Sequence, residues 1–282
     1  MTAFEFERCD RCPWCGSAHG EPWGRELRGF TARRCLACDL VYLNRRLTRD
    51  AQAAYYDGYL SAVHQEDPQL LAARARMYEL EYELVAPHLA PGRVLDVGCS
   101  GGAFLEVFRA HGFEGFGVEA GLEAARKAAE SFEVWRGELP DLDVPGEFDL
   151  VVFRGVIEHV HDPHAYLEAA WSRVAPGGLL YITSTPNRDA LCTDLFRERW
   201  NQHEPEGHLF HLSVRHLDPF FSERGGRKLL ERYLYEETPY AQPEQDLATV
   251  HRALERRRTG QPIEFASPPF WGNMLSVVYR KG

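Results

Sequence analysis

Residues 94 to 105 read Val94-Leu-Asp-Val-Gly-Cys-Ser-Gly-Gly-Ala-Phe-Leu105. An apolar strand, Arg93 to Val97, ends in a carboxylate at Asp96 and a glycine-rich turn, and a helix follows at once. Phe104, Leu105 and Phe108 recur on one face of that helix, with His111 in its last turn and Gly112 placed to stop it. Glycines at 98, 101 and 102 let backbone approach a ligand with no Cβ in the way, and the helix start offers unpaired N–H groups. This is the chemistry of a nucleotide-cofactor turn. A dinucleotide fits it poorly, because G-x-G-x-x-G is absent and Asp96 would face a pyrophosphate. A cofactor with an ammonium and a sulfonium and no phosphate is instead attracted by a carboxylate there. Glu119, 23 residues after Asp96, ends a second short strand, where an acid commonly accepts from a ribose diol.

S-adenosylmethionine is such a cofactor, and the order of the following segments narrows the reading. Phe148-Asp-Leu-Val-Val-Phe153 is a further apolar strand running into Arg154-Gly-Val-Ile-Glu-His-Val-His-Asp-Pro163, and Ala175-Pro-Gly-Gly178 leads into a strand at Leu179 to Thr185. From about residue 70 to 240 this ordered set resembles the class I S-adenosylmethionine-dependent methyltransferases, in particular a broad bacterial group with an E-H-V-x-D-P type loop after strand four. Ser100 stands where many relatives have glycine. The resemblance implies an α/β fold: a doubly wound, Rossmann-like, seven-stranded sheet whose last strand is antiparallel. It implies cofactor contacts from Asp96, Gly98, Cys99, Ser100, Gly101 and Glu119, and from Glu138, Leu139 and Arg154 further on.

The cysteines set a second theme. Cys12-Pro-Trp-Cys15 and Cys35-Leu-Ala-Cys38 are C-x-x-C knuckles 19 residues apart, the spacing of a zinc ribbon. Gly16 and Asp39 follow each pair where a turn-permitting residue is wanted. Four thiolates leave no open coordination position, so the expected zinc is structural rather than catalytic. Cys9 competes with Cys12 or Cys15 through Cys9-Asp-Arg-Cys12, and the C-P-x-C-G form favours Cys12. Cys99 and Cys192 read as non-ligands.

Methyl transfer to a hydroxyl needs alignment and a proton acceptor. Of twelve histidines, His159 follows strand four at the sheet's carboxyl edge, and Glu158 and His159 either act there or shape the pocket. His161 and His164 are expected at the surface or as caps. The segment Asn201 to Ser213 contains His208-Leu-Phe-His-Leu-Ser213, which resembles an E-H-F-x-x-F-S segment carrying a proposed base in sugar C-methyltransferases that have a similar N-terminal zinc module. Gly207 stands where those relatives have an acid. His203, His208 and His211 are an alternative metal set. Tyr59 either orients substrate from a helical cap or simply packs.

These residues need elements to hold them. Residues 1 to 47 are read as the ribbon, 48 to 89 as a helical cap or linker, and 90 to 282 as the cofactor-binding domain. The cap includes a helix from Asp67-Pro68 with Leu70, Met77, Leu80 and Leu84, stopped by Pro87. Asp162-Pro163 starts another helix, and Ser213 one more that Pro219 is expected to break. A chain of 282 residues with 44% hydrophobic composition can bury one large core and a small one. A net charge of −10 argues against nucleic acid or an anionic membrane as partner. No signal peptide or apolar span is evident, so the cytoplasm is the expected location. The expected activity is methyl transfer to a small or carrier-linked hydroxylated metabolite, O-methylation ahead of C-methylation. The competing readings are an RNA methyltransferase, which lacks its N-P-P-Y type loop here, and a non-catalytic cofactor-binding module.

Overall fold

The computed structural model describes residues 5–56 and 68–282 in full and 57–63 as helical backbone. The first four strands are β1 (Phe6–Arg8), β2 (Gly20–Leu27), β3 (Phe30–Cys35) and β4 (Val41–Leu47), antiparallel in the order β1-β4-β3-β2. Leu27 pairs with Phe30 across Arg28-Gly29, both at positive φ (52° and 87°), the tight hairpin turn that matches strand twist. Trp23, Phe30, Leu43 and Leu47 point inward and are buried. Helices α1 (Arg49–Val63) and α2 (Pro68–Val85) follow. α1 is capped by the Thr48 hydroxyl, which accepts from Ala51 N–H at 3.2 Å. α2 buries Met77, Leu80, Glu81 and Val85, while Leu70 faces outward.

The large sheet is built next. β5 (Arg93–Val97), α3 (Ala103–Ala110), β6 (Glu114–Glu119), α4 (Leu122–Ala128) and β7 (Glu133–Arg136) wind to one side. β8 (Phe148–Arg154), α5 (Pro163–Arg173) and β9 (Val174–Pro186) wind to the other. After α6 (Leu191–Phe196), β10 (Phe210–His211), α7 (Val214–Ser222), β11 (Gly226–Arg232) and α8 (Pro243–Arg258), the strand β12 (Met274–Lys281) closes the sheet. The order is β11-β12-β9-β8-β5-β6-β7, with β5 to β9 parallel and β12 antiparallel to both neighbours. This is the expected seven-stranded α/β sheet. Both its faces are covered, so Val151, Val152 and Phe153 in β8 are all fully buried. Each contributes roughly 1.5–3 kcal/mol by leaving water. The winding reverses between β5 and β8, which opens a crevice at their carboxyl ends.

Two expectations need correction. α7 runs unbroken through Pro219: a Ser213–His216 capping box fixes its first turn, and buried Leu217, Phe220 and Phe221 anchor it. His161 and His164 are half-buried rather than exposed. The His161 ring meets the Leu47 carbonyl at 3.2 Å, and His164 bonds the Trp14 carbonyl at 2.7 Å with its ring 4.4 Å from that indole. Both are drawn inward because Leu47 of β4 and Trp14 of the first knuckle loop lie against them. β10 also joins the small sheet, Phe210 opposite Tyr42 and His211 opposite Val41. Consequently Trp23, Phe30 and Leu43 share one hydrophobic core with Phe153, Ile182 and Phe210.

Candidate active site

At the end of β5 the chain turns on Gly98 (φ +76°), whose N–H donates to the Val118 carbonyl at 2.7 Å. A Cβ on Gly98 would lie 2.5 Å from Val156 Cγ2, so only glycine fits. Cys99 turns its side chain under the loop; a Cβ on Gly117 would sit 2.5 Å from its sulfur. It can therefore offer a ligand only backbone. Ser100 adopts φ +48° and donates its N–H to Glu119 Oε2 at 2.8 Å, while Gly121 N–H donates to Oε1 at 2.7 Å. Glu119 thus clamps the loop, and each oxygen keeps a lone pair for hydroxyl donors. Gly137 N–H bonds the Glu119 carbonyl at 3.0 Å, which brings Glu138 and Leu139 to the same strand end. There Leu139 is buried and Glu138 accepts from Arg49 of α1 at 2.9 Å.

Asp96 is 2% exposed, and its Oδ1 has no hydrogen-bond partner among the described residues. Burial pushes its carboxyl up to about 7, with Arg154 opposing and Glu119 adding to the rise. Arg154 ends β8, its Nε 2.5 Å from Glu81 Oε2 and its guanidinium 4.4 Å from the Tyr78 ring centre. Burial works against the Arg154 charge, yet Glu81 and Tyr78 outweigh it and keep the group above its ordinary range. Glu81 also accepts from Thr183 and Ser184, so α2 closes this end of the crevice. The sequence reading missed Glu81. A carboxylate at 81 inside the i, i+4 stripe Met77, Glu81, Val85 is the signal that could have found it.

The turn after β8 carries Glu158 and His159. Glu158 is 1% exposed, accepts from Thr185 Oγ1 at 3.1 Å and is pushed up to about 8 by burial. His159 Nε2 lies 3.9 Å from Glu158 Oε1, and its Nδ1 is 2.6 Å from the hydroxyl of Tyr56 on α1. Burial, then neighbouring His208, push His159 down to about 3. The rings of His159 and His208 are 4.7 Å apart, and the donor atoms of Glu158, His159 and His208 all lie within 4.8 Å of one another. His208 Nδ1 faces the Gln202 carbonyl at 2.7 Å, which makes it the protonated nitrogen and leaves the lone pair on Nε2. Gln52 of α1 ties the His159 carbonyl at 3.0 Å. A Cβ on Gly207 would come 2.9 Å from the Tyr56 hydroxyl and 3.2 Å from His159 Nδ1, which explains the glycine at this position. His203 and His211 turn away and bond each other at 3.2 Å, so the three-histidine metal set does not assemble. Tyr59 lies on α1, where only the helical backbone is described, so its side chain falls outside the described part.

In the small sheet's two knuckles, Cys12 Sγ is 3.6 Å from Cys38 Sγ and Cys15 Sγ 3.5 Å from Cys35 Sγ, all four sulfurs lying within 4.8 Å of one another. A tetrahedron with metal–sulfur bonds of about 2.3 Å has edges of about 3.8 Å, so the donor set fits zinc. Gly16 and Asp39 both have positive φ (71° and 68°), as the turns require. Cys9 stands apart, its thiol donating to the Arg11 carbonyl at 3.2 Å.

Residues 64–231 match a family model described as a methyltransferase domain. The chain belongs to that family. Its sheet is that of the class I S-adenosylmethionine-dependent methyltransferases. A ubiquinone biosynthesis O-methyltransferase of Cereibacter sphaeroides is 35% identical over 143 residues, 47% of this chain and 58% of that protein. One from Psychrobacter arcticus is 31% identical over 145 residues, 47% and 49% of the two chains. The chain thus spans about half the length of the curated relatives it matches. Among solved structures, a Thermotoga maritima SAM-dependent methyltransferase, described as a possible histamine N-methyltransferase, superposes with TM-score 0.56 at 18% identity, covering 82% of this chain and 100% of that one. The 1,6-didemethyltoxoflavin-N1-methyltransferase of Burkholderia thailandensis, solved with its substrate and S-adenosylhomocysteine, gives TM-score 0.54 at 15% identity, covering 93% and 99%. Among the described residues no helix is long and apolar enough to cross a membrane.

Proposed function

We propose that the protein transfers a methyl group from S-adenosylmethionine to a hydroxyl of a small or carrier-linked metabolite, with residues 90 to 282 binding the cofactor and a zinc held by Cys12, Cys15, Cys35 and Cys38 in residues 1 to 47. The O-methyltransferase relatives support a hydroxyl acceptor over a carbon one. The observation that carries the reading is the pairing of a buried, unpartnered Asp96 oxygen in a glycine cradle with a neutral imidazole and carboxyl cluster across the same sheet edge. When bound, the cofactor supplies an electrophilic methyl on a sulfonium. The Asp96 carboxylate takes its cationic end, Arg154 its carboxylate end, and Glu119 with the Glu138–Leu139 turn the ribose and base. On the acceptor side, the lone pair of the neutral His159 imidazole or the Nε2 lone pair of His208 receives the hydroxyl proton as the new O–C bond forms and the methyl–sulfur bond breaks. Because burial holds His159 neutral down to about pH 3, its lone pair is available throughout the physiological range. The proton taken up is returned to water as the product leaves, which restores the neutral imidazole beside Glu158.

The test is a screen of hydroxylated acceptors for S-adenosylhomocysteine release. With an acceptor in hand, His159→Ala or His208→Ala should lower turnover roughly 10²- to 10⁴-fold with cofactor affinity nearly unchanged. Full turnover in both variants would leave alignment as the sole catalytic device and overturn the base assignment.

A further inference from the structure

The small sheet is attached to the histidine segment by more than surface contact. Asp39, in the turn after the second knuckle, accepts through its carbonyl from Arg188 Nε at 2.9 Å, and its Oδ2 forms an ion pair with the Arg188 guanidinium at 3.1 Å. Arg188 is 2% exposed, and its own N–H grips the Leu212 carbonyl at 2.6 Å. From β4, Leu43 N–H donates to the Leu209 carbonyl at 2.8 Å, and Leu209 N–H donates to the Glu158 carbonyl at 2.8 Å. The third link is His216. Its Nδ1 accepts from Ser213 N–H at 3.1 Å and completes the α7 cap, and its Nε2 faces the Cys38 carbonyl at 3.0 Å. Glutamine or glutamate at that helix position would cap equally well. Only an imidazole caps with one nitrogen and reaches the knuckle with the other.

We propose that Arg188 and His216 are positioning residues through which the second cysteine knuckle sets the placement of His208 and Glu158. Cys38 and Asp39 are the fixed points, residues 187–188 and 209–216 are the arms, and the acceptor-side cluster is the load. The inference rests on the reading of that cluster as the acceptor side. The cofactor cradle, built from β5, β6 and their loops, stands outside these links.

The experiment is amide hydrogen exchange on the full chain, with His216→Gln as the main variant because it keeps the cap and drops the tether. Loss of one such hydrogen bond should speed exchange of amides in 202–213 about tenfold while 93–119 exchange at the parent rate. Nitrogen-15 spectra should show the His208 ring as Nδ1–H in the parent and as a tautomer mixture in the variant, and S-adenosylmethionine affinity should not change. Arg188→Lys, which keeps the charge and loses the fork, should behave alike and stands in if the first variant does not fold. Unchanged exchange in 202–213, faster exchange spread equally through 93–119, or loss of the fold in both variants would each overturn the proposal. A parent chain that binds no S-adenosylmethionine would instead overturn the functional reading and leave the exchange result standing.

Discussion

Replacing Asp96 by asparagine keeps the shape of the side chain and removes its charge, and the consequences separate binding from stability. In the folded chain burial raises the Asp96 carboxyl from 3.8 to about 7, a shift of about 3 units or about 4 kcal/mol. Between those two values the folded state holds a proton that the unfolded state has released. Stability of the parent therefore falls as pH rises through that window and levels off above 7. At pH 8 Asp96→Asn should be the more stable chain without cofactor, by up to about 4 kcal/mol, with a higher melting temperature. Cofactor binding should move the other way. If the carboxylate is the form that takes the cationic ligand, affinity for S-adenosylmethionine drops about 25-fold between pH 7.5 and 5.5, with proton release on binding near pH 6. Glu119, also raised by burial, adds in the same direction. The assay is titration calorimetry in buffers of different ionisation enthalpy, with thermal melts of the unliganded chains. Parent affinity flat across this pH range, or an asparagine variant that binds as tightly as the parent, would refute the reasoning.

Glu119→Ala should weaken S-adenosylmethionine binding by about 1–3 kcal/mol in calorimetry, because it removes a carboxylate acceptor and leaves the Ser100 and Gly121 N–H groups unpaired. Metal analysis should find one zinc per chain, retained in Cys9→Ser and lost in Cys35→Ser, since Cys9 lies outside the four-sulfur group. Gly207→Ala should cut turnover at least tenfold at unchanged cofactor affinity, because its Cβ displaces the Tyr56 hydroxyl and the His159 ring. Parent kinetics for that variant would show that neither group needs its observed place.

Local signals were the legible ones. The β5 strand, the glycine turn and α3 with its His111 and Gly112 ending are written in contiguous residues, and so are the two knuckles. The capping of α5 by Asp162 also needed only the next three positions. What sequence could not show was long-range assembly. Nothing near Phe210 announces that it pairs with Tyr42, or that Tyr56 completes His159 from a helix 103 residues earlier. His161 and His164 look like surface residues until the small sheet covers them. Pro219 was judged by its local cost alone, whereas tertiary burial of Phe220 and Phe221 decides that helix.

The central claim is that one crevice joins a methyl donor to the Glu158, His159 and His208 cluster. A crystal structure of the chain with S-adenosylhomocysteine tests it most directly. The account predicts the amino acid end between Asp96 and Arg154, the ribose on Glu119, and the sulfur opening toward the His159 and His208 rings with no protein atom between. A ligand seated elsewhere, or a sulfur walled off from both imidazoles, would contradict it.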